Sequence, residues 1–158
     1  MSVEKAKKYL EKFGKSDDVI EFAVSSATVE LAARALGCEP ARIAKSILLS
    51  SSAGSVMIVA AGDGKIDNRK YKDRFGEKPK MMPFDMVEDA VGYAPGGVCP
   101  FGINEGVSVY LDESLKRFDV VYPAAGSANS AVPMTIEEME SCSGALGWVD
   151  VCKDIAVL

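Results

Sequence analysis

The sequence predicts a mixed α/β fold in which a curved sheet, or a partial barrel, is flanked by short helices. Two observations lead to this prediction: apolar runs of strand length follow one another as a hairpin, and the helical segments between strands are short. Because strands and helices do not alternate regularly, a doubly wound parallel sheet is not expected. A chain of 158 residues without repeats or a linker has the size of one domain, so we expect a single domain over residues 1–158.

The first third of the chain predicts two helices and one short strand. Apolar residues recur at helical spacing from residue 3 to residue 13, and Gly14 ends this amphipathic helix. A second helix is expected over residues 28–36 with Gly37 as its C-terminal cap, and residues 19–22 are a candidate strand.

The middle of the chain predicts a β-hairpin followed by smaller elements. Two apolar runs, residues 43–49 and 56–60, are joined by the small residues 50–55. Residues 67–75 are typical of a short basic helix, and residues 80–82 of a brief strand.

The second half of the chain contains two helix starts at which a capping side chain precedes a glutamate by three positions. These are Asp85 with Glu88, before a helix over residues 86–91, and Thr135 with Glu138, before a helix over residues 136–139. Strands are expected over residues 107–111, 120–122 and 148–151.

Composition restricts the chemistry that the chain can perform. It contains no histidine, which excludes Ser-His-Asp and Cys-His catalysis and histidine-ligated metals. The four cysteines, Cys38, Cys99, Cys142 and Cys152, form no C-x-x-C pair, so we expect reduced thiols, three of them in the core, and no metal site. Any catalysis must therefore use lysine, carboxylates, backbone amides or groups of the substrate.

Charge and hydropathy bear on partners and location. The net charge of −5 argues against a protein that simply coats nucleic acid, and we expect no DNA partner. Residues 1–82 nevertheless carry 15 Lys and Arg against 11 Asp and Glu, with the densest cluster over residues 65–80. That cluster is compatible with phosphate binding and equally with a solvated helix face. With no signal peptide and no apolar run of about 18 residues, we expect a cytoplasmic protein without a membrane partner.

A glycine-rich loop is the first candidate for a functional site. Residues 92–106 contain five Gly and two Pro, and the pair Gly96 and Gly97 allows a ligand to approach the backbone closely. This pattern is compatible with a loop whose amides bind a carbonyl or oxyanion, and with a purely structural turn. Cys99 within the loop has no histidine partner, so we do not expect it to act as a nucleophile.

Two further segments are candidates. Lys45 begins a largely apolar strand, where its amine either points to solvent or enters a pocket and offers a cation to a carbonyl or phosphate. Residues 124–131 are almost all small and follow a strand, which is typical of a cavity wall or of a tight polar turn; Asn129 and Ser130 are its hydrogen-bonding candidates.

Together these segments resemble the YbaK/EbsC family, which includes Cys-tRNA(Pro) deacylases and relatives of the prolyl-tRNA synthetase editing domain. The resemblance covers most of the chain. It includes residues 44–49, 64–70, 82–83 and 91–102 and the segment at Gly126. Its most specific element is a G-x-x-P motif at residues 97–100, downstream of Lys45.

The resemblance implies a pocket between the Lys45 strand and the G-x-x-P loop. It also implies hydrolysis of the ester that joins an amino acid to the terminal adenosine of tRNA, assisted by the substrate's own hydroxyl or thiol and without a cofactor. Lys45 would be the catalytic residue that orients the phosphate or ester carbonyl, while amides around Gly97 and Gly102 would hold the carbonyl. The full substrate-binding set implied by position is Gly96, Gly97, Pro100, Gly102, Gly126, Ser127 and Asn129.

The implied partners are the acceptor end of aminoacyl-tRNA and, as the candidate protein partner, prolyl-tRNA synthetase or an elongation factor. This chain departs from the cysteine-specific members, which carry Gly-Gly-Lys-Arg-Gly where residues 125–129 are Ala-Gly-Ser-Ala-Asn. Alanine-specific relatives use a histidine here, and Asn129 is the nearest residue. The amino acid removed from tRNA(Pro), whether Cys, Ala or another small one, therefore stays open.

Two other functions remain compatible with the residues. The pocket could bind an aminoacyl-adenosine-like or other nucleotide ligand without catalysis, which the lack of a neutral-pH base favours. It could also hydrolyse a small-molecule ester or thioester independently of tRNA.

Overall fold

The computed structural model describes residues 2–153; residue 1 and residues 154–158 of the predicted domain lie outside the described residues. Within that range the chain forms a mixed, curved six-stranded sheet with five short α-helices, so the predicted fold class is confirmed. The helices are α1 (Ser2–Glu11), α2 (Val29–Leu36), α3 (Asn68–Phe75), α4 (Val87–Val91) and α5 (Ile136–Cys142). The strands are β1 (Ile20–Glu21), β2 (Ile43–Ser51), β3 (Gly54–Ala61), β4 (Val107–Asp112), β5 (Val120–Pro123), β6 (Ser130–Ala131), β7 (Met134–Thr135) and β8 (Trp148–Val149).

The sheet is built around the antiparallel hairpin of β2 and β3. Its order is β7-β5-β2-β3-β4-β8, and the pairs β2–β5, β3–β4 and β4–β8 are parallel. A separate antiparallel ribbon joins β1 to β6, with Ile20 opposite Ala131. This ribbon ties the segment before α2 to the small-residue segment of residues 124–131.

The alternation of side chains along the hairpin produces two apolar clusters, one on each face of the sheet. On one face, Leu48 and Met57 pack in the larger cluster, which also contains Leu10 of α1. On the other face, Leu49 and Ile58 pack in a smaller cluster together with residues of α3. Helices on both faces therefore hold β2 between two buried layers.

Two helices, α2 and α5, begin or end at residues that the sequence predicts. Thr28 caps α2 by accepting a hydrogen bond from the Leu31 N–H, and Gly37 ends it with φ of 69°. Both bonds of the capping box between Thr135 and Glu138 are present at the start of α5.

Other local predictions were wrong. Asp85 does not cap α4: the chain first closes a 3₁₀ turn over Phe84–Met86, in which Met86 N–H donates to the Pro83 carbonyl, and the N-cap position has no side-chain bond. Residues 80–82 form only a single bridge, between Met81 and Leu49, and the last strand stops at Val149. Strands β6 and β7 and the 3₁₀ helix Glu113–Arg117 were not predicted, since segments this short carry no periodicity.

No helix in residues 2–153 combines the length and the apolar composition that a membrane crossing requires.

Candidate functional site

A pocket of about 350 Å³ lies at the edge of β2, at a point that no other strand of residues 2–153 covers. Strand β5 pairs with β2 only at Ile43 and Ala44, and Met81 bridges β2 only further along, at Leu49. Residues 45–47 lie between these two pairings, and all three line the pocket. The pocket therefore sits on a gap in the sheet.

Ser46 presents hydrogen-bonding groups at this gap. The Leu48 carbonyl accepts from Met82 N–H at 3.1 Å, and Ser50 N–H donates to the Lys80 carbonyl at 2.8 Å. The backbone hydrogen-bonding groups of Leu48 and Ser50 therefore point away from β3. Because strand backbones repeat every two residues, the Ser46 N–H and C=O face the same way, toward the pocket. Among the described residues the buried Ser46 Oγ also has no hydrogen-bond partner. A bound polar group can use the Ser46 N–H and C=O, whereas the Oγ is shielded from solvent; the sequence contained no signal for this role.

Lys45 is half-buried and lines the pocket instead of pointing freely into solvent. Its ammonium donates to the Gly62 carbonyl at 3.3 Å. Burial lowers the pKa of the Lys45 amine below its ordinary value, opposed by the nearby Cys152 and Asp63. Asp63 itself is held by two short contacts from Arg117, at 2.6 and 3.0 Å. The positive charge of Lys45 is therefore oriented by a carbonyl and remains available to an electron-rich group of a ligand.

Gly62 must be glycine for this arrangement to exist. A β-carbon at this position would lie 2.0 Å from the Pro40 carbonyl oxygen and 2.8 Å from Val29 Cγ1. The close approach of these segments places the Gly62 carbonyl where it receives the Lys45 amine. Gly62 was not among the predicted site residues, because a lone glycine after a strand has the appearance of an ordinary turn.

The glycine-rich loop contributes one wall of the pocket through Pro95, Gly96 and Val98. Gly97 does not line the pocket. Its N–H donates to the Ala94 carbonyl at 3.0 Å, and a β-carbon there would meet the Gly126 carbonyl group and the Ser127 nitrogen at 2.7 Å. Gly97 and Gly126 thus bring the two predicted segments into backbone contact with each other.

The rest of the loop is anchored in the core. Tyr93, Cys99 and Phe101 are fully buried, and the Tyr93 hydroxyl donates to the Phe101 carbonyl. Burial raises the pKa of the Cys99 thiol to about 12, so the thiol is protonated at neutral pH. Pro100 is buried beside it, and Gly102, with φ of 68°, abuts Tyr9 of α1. Neither residue lines the pocket.

The small-residue segment forms a polar turn whose ends contribute another part of the pocket wall. Ser127 Oγ hydrogen-bonds Ser130 Oγ at 2.7 Å, and Asn129 Nδ2 donates to the Phe22 carbonyl at 3.0 Å. The pocket is lined here by Ala124, Ser130 and Ala131. Gly126, Ser127 and Asn129 do not line it; they shape the turn that positions those wall residues.

The remaining walls are largely apolar. Ser26 N–H donates to the Ala128 carbonyl at 2.6 Å, which holds the start of α2 against the turn. The apolar lining residues include Val29, Ala32, Ile47, Leu48, Met82, Val87 and Val98. The interior suits a small apolar group next to a few polar anchors.

Two other features lie away from this pocket. Among the described residues no cluster of three or more His, Cys, Asp or Glu side chains could hold a metal ion, and the cysteines there are free thiols. None of the basic residues in the cluster over residues 65–80 lines the pocket.

Comparison with known proteins adds the following similarities. Residues 24–142 match the model of the aminoacyl-tRNA editing domain. The chain is 46% identical over 155 residues to YwhH of Bacillus subtilis (strain 168), a protein described as uncharacterized, covering 98% of this chain and 99% of that one. It is 27% identical over 103 residues to the proline–tRNA ligase of Bacillus licheniformis, covering 65% of this chain but only 18% of the ligase. A crystal structure described as a proposed trans-editing enzyme for prolyl-tRNA synthetase superposes with a TM-score of 0.86 at 27% identity, covering 96% of this chain and 97% of that one.

Proposed function

This chain belongs to the aminoacyl-tRNA editing domain family, and from that membership we propose that it hydrolyses the ester of mischarged aminoacyl-tRNA. The observation that carries the proposal is the meeting of Lys45, Ser46 and Gly96 in one pocket at the uncovered edge of β2. The substrate is a tRNA that carries Cys, Ala or another small amino acid. Among tRNAs, tRNA(Pro) is the main candidate, because the ligase and trans-editing relatives concern proline. Prolyl-tRNA synthetase or an elongation factor delivers it.

The chemistry rests on positioning. The aminoacyl ester is already activated, so hydrolysis needs an aligned nucleophile and donors for the developing oxyanion. The Lys45 ammonium and the Ser46 N–H supply donors on one wall. Since the chain has no histidine and Cys99 is protonated, the substrate's own 2′-hydroxyl, or its thiol in the case of cysteine, assists the attack of water.

Pocket shape gives a reason for preferring small amino acids. The lining is apolar, and the volume of about 350 Å³ must also admit the ribose that carries the ester. A small side chain such as Ala fills the apolar end, whereas a larger one displaces the ester from Lys45.

A deacylation panel tests the proposal. Purified protein is incubated with tRNA(Pro) charged with Cys, Ala, Ser or Pro, and release of the amino acid is compared with the uncatalysed rate. Lys45→Ala should lose about 100-fold or more in kcat/KM, the usual cost of removing one oxyanion donor. Lys8→Ala, which removes an exposed lysine of α1, should match the wild type.

Two results would count against the proposal. If none of the four amino acids is released from tRNA(Pro) faster than background, deacylation of tRNA(Pro) is refuted. Stabilisation by aminoacyl-adenosine analogues without turnover would then indicate the non-catalytic binding module. If Lys45→Ala turns over like the wild type, the site is misassigned.

A further inference from the structure

The rim of the pocket carries exposed apolar side chains that folding leaves uncovered. Phe84 and Met81 both line the pocket, yet Phe84 is 78% exposed and Met81 is 61% exposed. Burying a side chain of this kind contributes about 1.5–3 kcal/mol, so leaving two of them in water beside a pocket forgoes stability. Exposed apolar groups next to a cleft are typical of a binding surface.

The backbone under these side chains is fixed by hydrogen bonds. Segment 80–82 is bonded to β2 through the Lys80 carbonyl and the Met82 N–H, and the turn after Pro83 is closed by a hydrogen bond from Met86. Phe84 begins that turn as the first residue of the 3₁₀ helix. The ring is therefore presented from an ordered support at the pocket mouth.

We propose that Phe84, with Met81 beside it, is a stacking platform for the unpaired terminal nucleobase of the RNA whose aminoacyl ester enters the pocket. The inference rests on the proposed function. When the amino acid lies in the pocket, the ribose that carries it lies at the pocket mouth. The base attached to that ribose is then close enough to contact the rim. An aromatic face is the surface on which unpaired bases stack, whatever their identity.

Two exposed lysines precede the platform along the chain, and one exposed carboxylate, Asp85, directly follows Phe84. Lys78 and Lys80, both exposed, precede Met81 along the chain and can meet the phosphates that link the last unpaired nucleotides. An aromatic side chain combined with nearby lysines is the arrangement by which proteins bind single-stranded nucleic acid. A purely apolar protein segment would have no use for the lysines.

Binding of an RNA hairpin with a single-stranded CCA 3′ end, uncharged and labelled at its 5′ end, tests the proposal without requiring catalysis. Base–aromatic stacking corresponds to roughly 5- to 150-fold in affinity, so Phe84→Leu, which keeps apolar bulk but removes the ring, should weaken binding by that factor. Phe84→Tyr should bind like the wild type. The matched control is Leu146→Ala, because Leu146 is 68% exposed and lies beside β8 at the far edge of the sheet.

A second arm uses a substrate without a base. Hydrolysis of an aminoacyl ester of 1-O-methylribose, which keeps the neighbouring hydroxyl but carries no base, should fall less in Phe84→Leu than deacylation of the full tRNA, whose kcat/KM should fall by the same factor as binding. Equal affinity of Phe84→Leu and wild type for the hairpin would overturn the platform, as would an equal loss on a hairpin that lacks the CCA overhang. Binding that depends on Phe84 in a protein that releases no amino acid would leave the platform standing and remove the proposed hydrolysis.

Discussion

Replacing Gly97 by alanine tests whether the glycine of the G-x-x-P motif serves chain packing or ligand approach. The added β-carbon would lie 2.7 Å from three backbone atoms of Gly126 and Ser127, whereas ordinary contact begins near 3.4 Å. The two loops must therefore separate by about 0.7 Å. Backbone atoms cannot rotate away as a flexible side chain does, so the cost resembles overpacking of a core, about 1–3 kcal/mol of unfolding free energy.

The separation also moves the two walls of the pocket. Pro95 and Gly96 lie on one loop, and Ala124 and Ser130 on the other. We therefore expect Gly97→Ala to lower the urea midpoint with an unchanged m-value and to reduce kcat/KM for deacylation. The matched control is Gly147→Ala, where an added β-carbon meets no atom within 4 Å and φ is not positive. That variant should be neutral or slightly more stable.

The outcome separates two explanations of the motif. If glycine is required only so that a ligand can approach, Gly97→Ala should unfold at the wild-type urea midpoint and raise KM alone. That result would refute the argument from contact between the loops.

Two further predictions follow from the pKa shifts. Lys45→Met should abolish deacylation yet unfold at higher urea at neutral pH, because it removes a charge that burial disfavours. The unfolded chain binds the Lys45 proton more tightly, so wild-type stability rises with pH between the lowered pKa and the ordinary 10.5. The gain in unfolding free energy of Lys45→Met over the wild type should therefore shrink over that pH range, and a constant gain would contradict the pKa shift. A disulfide reagent at pH 8 should label the half-buried Cys38 but not the fully buried Cys99, and should spare deacylation; mass spectrometry that finds Cys99 modified in step with inactivation would oppose the assignment.

Elements with strong local signals were predictable from the sequence. The hairpin β2–β3 follows from two apolar runs, and α2 and α5 follow from the end signals Gly37 and Thr135. Prediction failed near residue 85, where Asp85 matches the capping pattern but lies inside a 3₁₀ turn that closes first on Pro83. Capping patterns describe side chains, whereas the start of a helix also depends on the turn that precedes it.

The candidate site was predictable in part. Lys45 and Gly96 were predicted and line the pocket, and their roles stay predictions. Gly97 and Gly126 were named as substrate-binding residues; in the structure their backbones approach each other, and their roles stay predictions. Ser46 and Phe84 were missed, because one depends on an uncovered strand edge and the other on side-chain exposure, and neither property has a local pattern in a sequence.

The sequence by itself determined the mixed α/β class, the family resemblance and the exclusion of histidine chemistry, because composition, periodicity and motif spacing are properties of neighbouring residues. Only the tertiary structure decided where the pocket lies and which residues line it. That location depends on β5 covering β2 only at Ile43 and Ala44 and on Met81 bridging Leu49, contacts between segments distant along the chain. Contacts of this kind arise from the packing of the whole domain, which no local pattern encodes.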